Sequence, residues 1–143
     1  MRRWLFLVTL FLTLAVAAQQ SAPAKRVEID KTVQLLRAYE DDKLVFQTNV
    51  STGKWDRATP NGQFAAKSKQ RMHYSKLYKN APMPYSVEVV GNVFIHGFSS
   101  VPKRPASHGC IRVPLTGANP AKQFFDWVEI GTPIEILGRW EDR

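Results

Sequence analysis

Hydrophobic and polar positions alternate along much of this chain with the period of two that a half-buried strand requires. Residues 27–31 alternate, residues 32–39 are rich in strand formers, and residues 44–50 follow the polar turn Glu40-Asp41-Asp42-Lys43. Two strands around a short acidic turn predict a hairpin. Leucine, glutamine and arginine also leave a helix over residues 33–39 open. Residues 51–64 predict loop, with Thr59-Pro60-Asn61-Gly62 suited to a type I turn. A short strand is predicted over 64–69. Residues 70–83 carry no clear period and predict irregular chain, which leaves His73 on a loop or at the surface.

The second half is more regular. Residues 86–90 and 92–96 predict a hairpin turning at Gly91-Asn92. In its second strand Phe94 and His96 share one face, Val93 and Ile95 the other. Residues 97–106 must then fold back as a loop stiffened by Pro102 and Pro105. Residues 110–113 are short and extended, with Cys110 and Arg112 on one face. Asn119 supplies a cap and Pro120 the first position of a helix, in which Ala121, Phe124, Phe125 and Val128 recur at the spacing that packs on a sheet. Gly131 ends that helix, and residues 132–137 predict a last strand. At 143 residues and 44% hydrophobic content, the chain predicts one mainly-β domain with a short helix near its C-terminus.

The first residues differ in character. Met1-Arg2-Arg3 is basic, residues 4–16 are apolar apart from Thr9 and Thr13, and Ala15-Val16-Ala17-Ala18 precedes Gln19. This predicts a secretory signal peptide over residues 1–18, cut after Ala18. An uncleaved anchor is the alternative, although the run falls short of the roughly 20 residues a spanning helix needs. Residues 19–26 then read as a short lead-in, 27–138 as the domain and 139–143 as a tail. The net charge is +8, two units of it from Arg2 and Arg3. Such a basic surface attracts anionic polymers, but export argues against nucleic acid, and a solvated basic face explains the charge equally well.

Cys110 is the single cysteine, with His108 two residues and His96 fourteen residues upstream. No internal disulfide is possible, and a lone thiol in an exported chain points to reactivity. An imidazole beside a thiol is expected to lower its pKa and make the thiolate nucleophile. Gly109 permits a tight turn in which backbone amides could hold an oxyanion. A buried inert cysteine with structural histidines is the plainer alternative. A metal site lacks the further cysteine ligands that zinc prefers.

His96-Gly97, a loop of about ten residues and Ser107-His108-Gly109-Cys110-Ile111-Arg112 resemble the signature of the YkuD-type L,D-transpeptidases. Val50-Ser51-Thr52-Gly53-Lys54, Thr59-Pro60-Asn61-Gly62, Met83-Pro84-Tyr85, Arg104-Pro105-Ala106 and Gly131-Thr132-Pro133 follow that family's order, so the resemblance covers roughly residues 27–137. It implies a β-sandwich-like domain that acts on peptidoglycan stem peptides without metal or organic cofactor. It implies Cys110 as nucleophile, His96 as base and the Gly97 carbonyl as orienter of the imidazole. Amides near His108, Gly109 and Cys110 would bind the oxyanion. Tyr85 would line the substrate cleft, Ser107 and His108 would shape it, and Arg112 would bind a carboxylate or hold the loop. The acyl acceptor stays open among a second stem, water and a wall lipoprotein, as does the oligomeric state. Outside enzymes, a wall-peptide binder or a periplasmic metal carrier using His96, His108 and Cys110 are the rival readings.

Overall fold

The computed structural model describes residues 21–141, so the expected leader lies outside the described residues. Among the described residues nine strands form two sheets. The first takes β1 (Lys25–Asp30), β2 (Leu35–Glu40), β3 (Lys43–Asn49), β4 (Gly62–Ala65) and β9 (Pro133–Leu137), in the order β3-β2-β1-β9-β4. The second takes β5 (Ser68–Tyr74), β6 (Pro82–Val90), β7 (Val93–Phe98) and β8 (Ile111–Pro114), in that order. Among the described residues one α-helix, α1 (Pro120–Trp127), precedes β9, and a single 3-10 turn spans Trp55–Arg57. The architecture is mainly β with a short helix near the C-terminus, as the pattern predicts, and its two sheets agree with the β-sandwich-like fold that the resemblance implies.

The alternating residues explain the core. Val27, Ile29 and Leu36 of the first sheet are buried together with Val87, Ile95, Ile111 and Val113 of the second, so each sheet hides one face against the other. Asn119 caps α1 with its side-chain oxygen, which accepts from the Lys122 amide, and Pro120 opens the helix. Ala121 and Phe124 face inward from α1. Gly97 lets the helix close down on β7, since a Cβ there would lie 2.4 Å from Leu115 Cδ2 and 3.1 Å from Ala121 Cβ.

Several boundaries differ from the pattern. β1 begins at Lys25, inside the stretch read as lead-in. Residues 31–34 are a turn rather than the start of β2, and Gln34 takes a left-handed φ of 54°. Its buried side chain explains the position: the amide oxygen accepts from the Thr52 amide, and Nε2 donates to Thr52 Oγ1. Residues 33–39 are not helical. The single strand expected over 64–69 is two strands in two sheets. The chain crosses between sheets at Ala66, whose amide donates to the Thr132 carbonyl, and Lys67, whose amide donates to the Glu88 carbonyl. Half of residues 70–83 are strand, because β5 runs to Tyr74 and β6 begins at Pro82. Their period is hidden because this edge is polar and aromatic on both faces. No turn forms at Thr59–Gly62 either. Thr59 is instead a tie between loops.

Candidate active site

β7 and β8 are parallel neighbours, with Ile95 opposite Ile111 and His96 opposite Arg112. The inward residues Ile95 and Ile111 fix the register through burial, which turns Phe94, His96 and Phe98 to the other face. Cys110 lies two residues before Arg112 on that same side. A strand spacing of about 4.8 Å and two residues of rise put the Cα atoms of His96 and Cys110 roughly 8 Å apart, within side-chain reach. Both line a cleft of about 440 Å³, a volume in the range of small-ligand sites.

The loop that carries Cys110 is held from beneath. Ser51 pairs with Arg112 and Gly53 with Ser107 as isolated bridges, and the Ser51 hydroxyl donates to the Arg104 carbonyl at 2.7 Å. Thr59 Oγ1 accepts from the Gly53 amide at 2.9 Å and donates to the Gly109 carbonyl at 2.8 Å. Gly53 must be glycine, because a Cβ would meet the Arg57 carbonyl at 2.0 Å and Gly109 Cα at 2.9 Å. Gly109 itself sits at φ 122°, a conformation open to glycine and costly to other residues. The motifs around Gly53 and Thr59 thus act through hydrogen bonds on the backbone next to the sulfur.

His96 is buried and its Nδ1 donates to the Gly97 carbonyl at 2.9 Å. That bond selects the tautomer and leaves Nε2 as the free lone pair. Burial, with smaller contributions from Arg112 and His73, lowers the His96 pKa to about 4, against the Gly97 bond that raises it. The ring is therefore neutral at physiological pH.

Cys110 is half-buried, and its thiol proton is directed at the Asn92 carbonyl, 3.5 Å away. Burial pushes the thiol pKa up, opposed by the Phe94 amide and by Arg112. The lowered thiol pKa expected from the sequence is thus not what the site holds. A neutral imidazole offers no charge to stabilise a thiolate, so desolvation prevails.

The remaining residues divide. Ser107 Oγ donates to the Cys110 carbonyl and accepts from the Gly109 amide at 3.1 Å, so the Gly109 amide is committed inside the loop rather than facing the cleft as an oxyanion donor. His108 stacks on Tyr78 at 4.6 Å, and Arg57 donates to the Tyr78 hydroxyl at 2.9 Å. These rings tie the overhanging turn of residues 75–81 to the cysteine loop. Arg112 lies over the Phe98 ring at 4.0 Å inside the cleft. Tyr85 is placed elsewhere: it packs toward the core with its ring 5.8 Å from Phe125. His73, expected outside the site, lines the cleft from β5 and stacks on Phe94 at 4.7 Å. Among the described residues no three His, Cys, Asp or Glu side chains converge as metal ligands, so His96, His108 and Cys110 do not form such a set.

A lone sulfur that shares a cleft with a neutral, backbone-held imidazole is an arrangement suited to cysteine-dependent acyl transfer. The model of the L,D-transpeptidase catalytic domain (YkuD) matches residues 24–136, and the chain belongs to that family. The solved L,D-transpeptidase of Stackebrandtia nassauensis is similar at a TM-score of 0.75 and 27% identity, over 87% of this chain and 60% of that one. For that of Xylanimonas cellulosilytica the values are 0.68 and 33%, over 82% and 62%. An L,D-transpeptidase in complex with imipenem gives 0.70 and 26%, over 80% and 59%. The chain thus spans about 60% of the length of these structures. Among curated proteins none matches.

Proposed function

We propose that this chain is an exported L,D-transpeptidase that acts on peptidoglycan tetrapeptide stems and forms 3–3 cross-links. The observation that carries the reading is the shared cleft face of His96 and Cys110, with the imidazole Nδ1 held by the Gly97 carbonyl. Substrate in the cleft draws the sulfur from the Asn92 carbonyl toward His96 Nε2, which takes the thiol proton as Sγ attacks the carbonyl of the third stem residue. Because both groups rest neutral, proton transfer and attack are coupled rather than preceded by a stored thiolate. With the Gly109 amide committed to Ser107, the amides of His108 and Cys110 hold the oxyanion. The C–N bond to the terminal D-alanine breaks, His96 returns the proton to the leaving amine, and a thioester remains on Cys110. The amine of a second stem then resolves it. Arg112, half-buried at the cleft wall, meets a stem carboxylate. The signal-like residues 1–18 support action outside the cytoplasm.

The test is mass spectrometry of products from a purified tetrapeptide muropeptide, with and without an acceptor stem. A cross-linked dimer with loss of D-alanine is expected. Tripeptide alone, in the presence of acceptor, defines an L,D-carboxypeptidase instead, and unchanged substrate ends the proposal.

A further inference from the structure

One position of the β5–β6 ladder lacks a pair, and the side chains that reach the cleft change parity across it. The ladder runs Ser68 to Glu88, Lys69 to Val87 and Gln70 to Ser86, then resumes with Met72 to Pro84 and His73 to Met83. The skipped residues are Arg71 and Tyr85, and Tyr85 holds a left-handed φ of 55°. Before the break, Ser68 and Gln70 line the cleft; beyond it, His73 and Ser75 do. An unbroken period of two would have turned Met72 inward and His73 away. The register is the same on both sides of that unpaired position, and His73 faces the cleft beyond it.

His73 resembles His96 in how it is held. Its Nδ1 donates to Gln70 Oε1 at 2.9 Å, which leaves Nε2 as the free ring nitrogen. Its ring stacks on Phe94, whose backbone amide reaches the sulfur of Cys110. Glu88 stands opposite Phe94 across β6 and β7 and lines the same wall. Its carboxylate accepts from Ser68 Oγ at 2.9 Å, and among the described residues no cation is paired with it. This wall therefore presents an unneutralised carboxylate and a free imidazole nitrogen, each oriented by a neutral neighbour. A primary ammonium group that must give up a proton fits it.

We propose that Glu88 and His73 receive the acceptor amine, Glu88 binding it as the ammonium and His73 Nε2 taking its first proton. This rests on the transpeptidase reading above. His96, neutral down to about pH 4, is too weak a base to strip an ammonium unaided. The freed amine lone pair forms the new C–N bond at the thioester carbonyl, and the tetrahedral intermediate expels Sγ. The second amine proton passes through His96 to sulfur, restoring the thiol. The first leaves His73 for solvent. One ammonium and one thioester become one amide, one thiol and one released proton.

The test uses the full chain and its His73→Gln and Glu88→Gln variants. Acylation of Cys110 by a carbapenem is followed by intact mass, and the ratio of dimer to tripeptide product from tetrapeptide muropeptide with acceptor stem is measured in parallel. In His73→Gln the dimer-to-tripeptide ratio should fall about a hundredfold, while acylation changes by no more than about threefold. Glu88→Gln should raise the acceptor KM more than it lowers kcat. An unchanged ratio in both variants overturns the proposal, and so does a loss of acylation that matches the loss of dimer, which marks a merely structural role. A wild-type protein that is never acylated overturns the earlier reading instead.

Discussion

The two sheets bury the same core and use their other faces in opposite ways. The first sheet pairs opposite charges across its strands: Glu28 and Arg37 are partners in β1 and β2, joined at 2.9 Å, and Asp30 lies 3.8 Å from the same guanidinium. The second sheet leaves its charges unmatched. On its cleft face Glu88 has a hydroxyl for a partner, Arg112 an aromatic ring, and His73 and His96 each an amide carbonyl oxygen. Neutral partners orient a group without consuming its charge or its proton, so the second sheet keeps reactive groups aimed and available. The first sheet and the loop over residues 51–59 supply the rigidity.

This contrast can be broken at graded levels. The largest effect belongs to the sulfur. Cys110→Ala should lower transpeptidation on the order of ten-thousandfold, with the thermal midpoint hardly moved, as measured by muropeptide turnover and calorimetry. Next is the support beneath it. Gly53→Ala forces the Arg57 carbonyl and Gly109 Cα from the positions they hold, and a shift of the cysteine loop by about 1 Å should cost about a hundredfold in acylation. Stopped-flow acylation by a carbapenem reads this directly.

The pH response follows from the neutral pair. Only uncharged His96 can take the thiol proton, so kcat/KM should stay level from about pH 5 to 8 and fall as pH drops through about 4. A stored thiolate–imidazolium pair would give a different profile. Folding stability obeys the same sign. The unfolded chain takes up a proton at histidine near pH 6.5, whereas folded His96 does not until about pH 4. Stability from this site is therefore present above pH 6.5 and declines as pH falls toward 4. Denaturant midpoints should show that slope in the wild type and less of it in His96→Gln. The smallest effect lies on the first sheet: Arg37→Met should cost about 1 kcal/mol of stability and leave the acylation rate unaltered.

The same contrast governs what could be read before the fold was known. Strands with one buried face declared themselves, as at Val27 and Ile29 or at Ile95 and Ile111, and Asn119-Pro120 marked the helix start by capping chemistry alone. The cysteine, the first histidine and its glycine stood out as a local motif. Three features did not. His73 was hidden because its strand has no apolar face, and because the left-handed φ of Tyr85 on the neighbouring strand leaves no pattern in the sequence. Tyr85 itself carried a motif position but turns its ring toward Phe125. The direction of the thiol pKa depends on burial, which no spacing of residues reveals; the imidazole was visible, its neutrality was not.

The central claim is that Cys110 takes up the acyl group of a stem peptide. Intact-protein mass spectrometry after brief exposure to a tetrapeptide stem, quenched in acid and mapped by proteolysis, tests it most directly. A mass increase equal to the stem less D-alanine is expected, located on Cys110 and absent from Cys110→Ala. An unmodified cysteine under conditions of turnover, or the adduct on another side chain, would contradict it.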